Sequence, residues 1–205
     1  MGKNNVEILL ATTNVHKIRE LKEMLREVEI TDVLTLRDFP NYHAPEETGH
    51  TFEENAILKA THAAESLNKL ALSDDSGLIV PALNGRPGVF SARYAGNNST
   101  DADNRKKLLA EMVNLIDEDR YAYFECVLAL ALPRGLIKSV NGVCEGEILD
   151  KERGNHGFGY DSLFVRHEYS KSFGEMEEAL KNRISHRRKA FDKMVLSLAA
   201  IAQTI

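Results

Sequence analysis

Two adjacent carboxylates, Asp74-Asp75, close the apolar run Leu70-Ala71-Leu72-Ser73 and are followed by Ser76-Gly77. Successive side chains on an extended segment alternate faces, so at most one of the two can point into a core. The other is offered at the strand end, where Gly77 permits a tight turn. A buried charge is costly unless it is paired or bound to a metal. The pattern therefore suits a divalent cation site or a proton-transfer site, and the competing reading is a solvated Asp-Asp-Ser-Gly turn.

Four further groups of residues carry chemistry. Thr12-Thr13-Asn14-Val15-His16-Lys17 stands at an expected strand-to-helix junction, where free N–H groups and the helix dipole attract an anion. Lys17 in the first turn opposes that dipole unless an anion is present. The turn has no glycine and is not a P-loop; its plain reading is Asn14 as an N-cap with Lys17 in solvent. Glu46-Glu47 precedes a helix on which Asn55 and Lys59 share a face. Lys59 borders the apolar stripe, either at a cleft edge or as a snorkelling lysine.

Gly157-Phe158-Gly159-Tyr160-Asp161 exposes backbone around two aromatics, suited to stacking a flat ring and bonding its edge, or to a turn before a strand. In Ser185-His186-Arg187-Arg188-Lys189, the cap Ser185 is followed by four cationic or potentially cationic residues. The macrodipole disfavours each exposed cation there by about 0.3–1 kcal/mol. A local rule broken so openly points to an acceptor-rich ligand; the alternative is an exposed basic patch.

The elements that must position these residues follow from periodicity. Strands are expected at Val6–Ala11, at Ile30–Leu36 and in the run that ends at the Asp pair. A helix over Val15–Glu27 turns Ile18, Leu21 and Leu25 to one face. A second helix starts at the capping-box pair Thr51 and Glu54, with Phe52, Ala56, Ala60, Ala63 and Leu67 as its stripe. Asp101–Val113 reads as helical and Tyr121–Leu132 as a long strand. After Pro133-Arg134-Gly135 come Leu136–Val140, a hairpin turn at Asn141-Gly142, Val143–Leu149 and, later, a strand over Ser162–Val165. The last helix starts near Ser185 and turns Phe191, Met194, Leu198 and Ile201 inward. Strands alternate with helices in the first half and a hairpin dominates the second, so the fold class is α/β with a mixed sheet.

Composition narrows the function classes. The chain has 205 residues, and 43% hydrophobic with 28% charged residues is ordinary for a soluble globular protein. With no repeat, linker or low-complexity tract, one domain over 1–205 is the simplest reading. A net charge of −5 argues against a broad platform for nucleic-acid phosphates, so any anion site is local. Cys126 and Cys144 lack zinc-type spacing and read as reduced packing residues of a cytoplasmic protein. No stretch reaches membrane-span length. Met1–Asn5 leads directly into a strand rather than a signal-peptide apolar region, and Val6 fails the Ser/Thr that an N-myristoylation signal at Gly2 carries.

Taken in order, Leu10–Lys17, Glu46–Gly49 through Glu54–Ala60, Ser73–Leu78, Pro87–Gly96, Gly157–Asp161 and Lys181–Arg187 resemble the inosine/xanthosine triphosphate pyrophosphatase family. Each stretch alone is weak; the ordered set spans nearly the whole chain. The resemblance implies an elongated mixed β-sheet flanked by helices, with two lobes around a central substrate cleft, and a homodimer. It implies Mg²⁺-dependent hydrolysis of ITP, dITP and XTP to the monophosphate and pyrophosphate, keeping them out of DNA and RNA.

By matching position it implies that Thr12, Thr13, Asn14, Val15, His16 and Lys17 hold the triphosphate, with Lys59 as a further cation. Glu47 and Asp75 carry the metal, and Asp75 is the proton acceptor for water with Asp74 in support. Ser76, Phe158, Gly159, Tyr160, Asp161, Lys181, His186 and Arg187 contact the nucleotide, with Arg187 and His186 as donors to a 6-keto group. His16 and His156 stand where glycine is common in the family; neither replaces a catalytic group. Rival readings are a related-fold pyrophosphatase for other modified nucleotides and a non-catalytic Mg-nucleotide sensor.

Overall fold

The computed structural model describes residues 6–28 and 30–202; the expectations for Met1–Asn5 lie outside them. Its strands are β1 (Glu7–Leu10), β2 (Asp32–Thr35), β3 (Ala71–Ile79), β4 (Tyr121–Leu132), β5 (Gly135–Ile148) and β6 (Phe164–Arg166). Its helices are α1 (Val15–Glu27), α2 (Phe52–Leu67), α3 (Asp101–Glu111), α4 (Glu178–Ile184) and α5 (His186–Ala202). The strands form one mixed sheet in the order β2-β1-β3-β4-β5-β6. β1 is parallel to β2 and β3, with Leu9 opposite Leu34 and Ala71, whereas β5 and β6 are antiparallel. Ile8, Leu9 and Leu10 have no exposed surface, as expected of a parallel strand covered on both faces. The α/β mixed-sheet expectation is met.

The chain divides into two compact units: residues 1–75, 126–142 and 187–205, and residues 76–125 and 143–186. In the first unit, Leu21, Met24 and Leu25 of α1 and Phe191, Met194 and Leu198 of α5 share a core with Ile8, Leu10, Leu72, Leu128 and Leu130. Spacings of three and four residues put each helical set on one face. Asn14 caps α1, Thr51 caps α2, and Asn68 ends α2 in the left-handed region at φ 51°. In the second unit, Leu78, Leu108, Phe124, Phe164 and Phe173 lie at the centre of the core. Phe164 meets Phe124 edge-on at 4.8 Å.

Two features differ from expectation, and one helix is added. Asp74 and Asp75 sit mid-strand, because β3 continues through Gly77 to Ile79 instead of turning. β5 runs unbroken through Asn141-Gly142. The two-residue turn is at Pro133-Arg134, with Gly135 at φ 128°, so pairing to β4 starts there and overrides the local turn signal. Lys193 Nζ donates to the Asn141 carbonyl at 2.7 Å and holds that segment in place. The last helix starts beside Ser185 as expected, and Ser185, with ψ 164°, separates it from a short helix, α4, that the sequence reading does not include.

Candidate active site

In the first unit, two ionic groups are built on the two adjacent aspartates of β3. Strand alternation sends their side chains to different partners. Asp74 has no exposed surface. Lys17 Nζ lies 2.5 Å from its Oδ1, and Arg187 Nε lies 2.7 Å from its Oδ2. Cys126 Sγ donates to Asp74 Oδ2 at 3.1 Å, and Arg187 Nη1 donates to Glu20 Oε2. Burial works to raise the Asp74 pKa, but the charges of Arg187 and Lys17 hold the carboxyl well below the usual carboxylate range. Burial and the Asp74 charge push the Cys126 thiol far up, so it stays protonated and can donate.

Asp75 lies in a more open group. Lys59 Nζ, carried on α2, donates to Asp75 Oδ1 at 2.9 Å, Glu47 Oε1 at 2.8 Å and the Asp74 carbonyl at 3.0 Å. The Glu47 side chain keeps 32% of its surface exposed, against 11% for Asp75. Burial raises the Asp75 pKa despite the opposing charges of Lys59 and Lys17, and Glu47 adds to the rise. Burial would lower the Lys59 pKa, but Asp75 and Glu47 outweigh it and raise it. Asp75 is thus the better proton acceptor of the two aspartates. The loop carrying Glu47 is pinned where Gly49 N–H donates to Asn55 Oδ1 at 2.8 Å. A Cβ on Gly49 would come within 2.6 Å of that oxygen, so only glycine fits.

The N-terminus of α1 carries Lys17 into the Asp74 group. Asn14 Oδ1 accepts the N–H groups of His16 and Lys17 at 2.9 and 3.2 Å, and Thr12 Oγ1 accepts that of Asn14 at 3.2 Å. Thr13, Asn14, Val15 and His16 are exposed, and Thr12, Lys17 and Ser76 are half-buried. Lys17 is therefore not a free cation in solvent, the plain reading of the sequence. It is one arm of the Asp74 group.

In the second unit, Gly157 (φ 75°) and Gly159 (φ 58°) bracket Phe158, a backbone conformation favoured only for glycine. Phe158 N–H donates to Asp161 Oδ2 at 2.9 Å, and a Cβ on Gly157 would strike that carboxylate at 2.0 Å. Lys181 Nζ lies 2.6 Å from the same oxygen and 4.7 Å from the Phe158 ring centroid. Tyr160 is buried and donates to the Ser91 carbonyl at 2.9 Å, so its hydroxyl anchors the loop. His186 stacks on Phe124 at 4.8 Å and 15°. His156 Nδ1 is 3.0 Å from the Met176 carbonyl.

Arg187 is placed differently from the base-facing donor that the sequence suggested. It is 1% exposed and paired with Asp74 and Glu20 in the first unit. The dipole violation at α5 is offset by protein carboxylates. Sequence reasoning missed Glu20 and Cys126 here, and Asp101 and Arg105 beside the Phe158 loop. Glu20 carried a usable signal: it stands four residues before Met24, at the edge of the buried stripe of α1.

Among the described residues, no three or more His, Cys, Asp or Glu side chains group to hold a metal. Mg²⁺ does not need such a cage, since one or two carboxylates plus substrate phosphates suffice. Glu47 and Asp75 converge on one cationic point, Lys59 Nζ, and offer hard oxygen donors, so this pair fits the ion. No helix among the described residues is long and apolar enough to cross a membrane.

The profile of the Ham1 family matches residues 8–196. The dITP/XTP pyrophosphatase of Protochlamydia amoebophila (strain UWE25) is 60% identical over 190 residues, 92% of this chain and 96% of that protein. The structure of a HAM1 protein from Coxiella burnetii superposes with a TM-score of 0.85 at 43% identity, covering 95% of this chain and 99% of the other. That of the nucleoside-triphosphatase / dITP/XTP pyrophosphatase from Mycobacterium abscessus gives 0.75 at 37% identity over 92% and 97%.

Proposed function

The chain belongs to the Ham1 family, and from that premise we propose that it hydrolyses deaminated purine nucleoside triphosphates (ITP, dITP and XTP) to the monophosphate and pyrophosphate. The observation that carries the reading is the convergence of Glu47 and Asp75 on Lys59, one residue along β3 from the Lys17–Asp74–Arg187 group.

In this reading, Lys17, Asn14 and the exposed Thr13–His16 segment bind the triphosphate with Thr12, and Lys59 and Ser76 add contacts. Glu47 and Asp75 would hold Mg²⁺, whose charge would supply neutralisation of phosphate oxygens and a better pyrophosphate leaving group. Asp75 orients a water molecule and takes its proton as the oxygen attacks the α-phosphorus. Burial makes that carboxylate a stronger base than an exposed one. Lys17 and Lys59 stabilise charge on the phosphoryl oxygens. Asp74 stays ionised between Lys17 and Arg187 and fixes the ammonium in place.

Phe158 stacks on the base, and the Gly159–Asp161 backbone, Lys181 and His186 read its edge. A donor facing the 6-keto oxygen rewards hypoxanthine and xanthine and leaves the amino group of adenine unmatched. A contact from Arg187 to that oxygen requires the guanidinium to share itself between base and carboxylates. We further assign the chain to one functional domain acting as a homodimer in the cytoplasm.

Purified protein incubated with ITP and Mg²⁺ should release pyrophosphate, not phosphate, with ATP and modified pyrimidine triphosphates far slower. No pyrophosphate from ITP, at any Mg²⁺ concentration, would overturn the reading. Faster turnover of a modified pyrimidine triphosphate would reassign the substrate, and binding without turnover would make the protein a nucleotide sensor.

A further inference from the structure

Helix α3 carries two side chains that grip one residue of the Phe158 loop from both sides. The Gly159 N–H donates to Asp101 Oδ2 at 2.7 Å, and Arg105 Nη1 donates to the Gly159 carbonyl at 2.9 Å. The two residues are four apart, so they lie on one face of the helix. Their spacing offers an acceptor and a donor to the two polar groups of a single residue. Arg105 is itself braced, with Nε 3.0 Å from Glu152 Oε2, and that oxygen accepts from Ser162 Oγ at 3.1 Å.

The helix that carries this grip is anchored. A capping box between Thr100 and Asp103 fixes its first turn. Buried Asn104 accepts from Ala95 N–H at 2.8 Å and donates to the Ala92 carbonyl at 3.1 Å. The loop, by contrast, has two glycines in the left-handed region on either side of Phe158, and glycine has the widest choice of alternative conformations. A Cβ on Gly159 would meet nothing within 4 Å. The Cα face of this residue is open, and the two charged hydrogen bonds hold its own N–H and carbonyl.

We propose that Asp101 and Arg105 are positioning residues for base recognition: by clamping the Gly159 backbone they set the angle of the Phe158 ring and its distance to Lys181. This rests on the reading of Phe158 and Lys181 as base contacts. Neither α3 residue is among the phosphate-binding groups of the proposed site, so the clamp acts on affinity for the base and not on the chemical step.

The test is steady-state kinetics with ITP and ATP on the full chain, for wild type, Asp101→Ala, Arg105→Ala and Asp101→Asn, with thermal melting of each. Asp101→Ala and Arg105→Ala should raise KM for ITP about tenfold, the size of one lost charge-assisted hydrogen bond. Their kcat should stay within about twofold of wild type, because a binding contact equal in ground and transition states is lost. The ITP/ATP ratio of kcat/KM should fall. Asp101→Asn keeps an acceptor for Gly159 N–H and should stay near wild type in KM. If Asp101→Ala fails to fold, Arg105→Ala carries the test. Unchanged KM in the folded alanine variants, or a loss confined to kcat, overturns the clamp while leaving the activity standing. A wild-type protein that releases no pyrophosphate from ITP overturns the activity and the base role together.

Discussion

Asp74 and Asp75 are consecutive residues of one strand with the same side chain, yet they meet opposite fates. Asp74 is sealed, with Lys17, Arg187 and Cys126 around it and Glu20 behind Arg187. Asp75 shares Lys59 with a part-exposed Glu47. Burial opposes ionisation at both. At Asp74 two cations overcome it; at Asp75 they do not. Full pairing stabilises a charge by removing its reactivity, while incomplete pairing leaves a carboxylate able to take a proton. The strand thus places a fully paired carboxylate beside one whose pKa burial raises.

The sharpest way to break this division is Asp75→Asn. Pyrophosphate release from ITP should fall about 10²–10⁴-fold, while the urea unfolding midpoint should move little, because Lys59 retains Glu47 and the Asp74 carbonyl. Undiminished release would remove Asp75 as the base. Asp74→Asn should do the reverse in emphasis, lowering unfolding free energy by about 3 kcal/mol as Lys17 and Arg187 lose their shared anion. Its pH dependence is fixed in sign. A depressed folded pKa contributes stability above the ordinary value of 3.8 and loses it as pH falls through the folded value. The gap between wild type and Asp74→Asn should therefore be widest near neutrality and close in acid; a gap that grows in acid would contradict the sealed-anion account.

Arg187→Lys tests which side of the comparison that residue serves. Lysine keeps the charge but loses the planar fork that reaches Asp74 and Glu20 together. A drop in stability of about 2 kcal/mol with an unchanged ITP/ATP selectivity ratio assigns Arg187 to Asp74. A collapse of that ratio at wild-type stability returns it to the base.

The same contrast explains what could be read from the sequence. Parallel strands, the amphipathic faces of α1 and α5 and the caps at Asn14 and Thr51 are local patterns, and they were legible. Asn141-Gly142 misled because a turn signal is weak beside a ladder already started at Pro133-Arg134. At the site, Lys17, Lys59, Glu47, the aspartate pair and Arg187 stand out in the sequence, but Glu20 and Cys126 are missed, and so is which carboxylate each cation meets. Lys17 with Asp74 and Arg187 with Glu20 join positions 57 and 167 residues apart. Such pairings depend on tertiary structure, and no spacing rule reports them. Arg187 reads as a donor to an acceptor-rich ligand because helix-dipole arguments count only local charges and miss Asp74 and Glu20. Asp101 and Arg105 were passed over because their partner is backbone, and Gly159 looks the same in sequence whether gripped or free.

The smallest predicted effect probes the seal itself. The Cys126 thiol donates to Asp74 at 3.1 Å, while the other cysteine, Cys144, in the second unit, donates to the Ile184 carbonyl at 3.7 Å. Both are buried thiols outside any disulfide. A thiol is a weak donor, but its acceptor at Cys126 is a full carboxylate and at Cys144 a neutral carbonyl. Alanine at either position removes a similar sulfur, so the lost packing is shared between the two variants. What differs is the hydrogen bond. Cys126→Ala should therefore be the less stable by about 1 kcal/mol in urea unfolding, with turnover of ITP retained. Equal losses would mean that Lys17 and Arg187 alone hold Asp74 ionised, and that the thiol merely fills the space beside it.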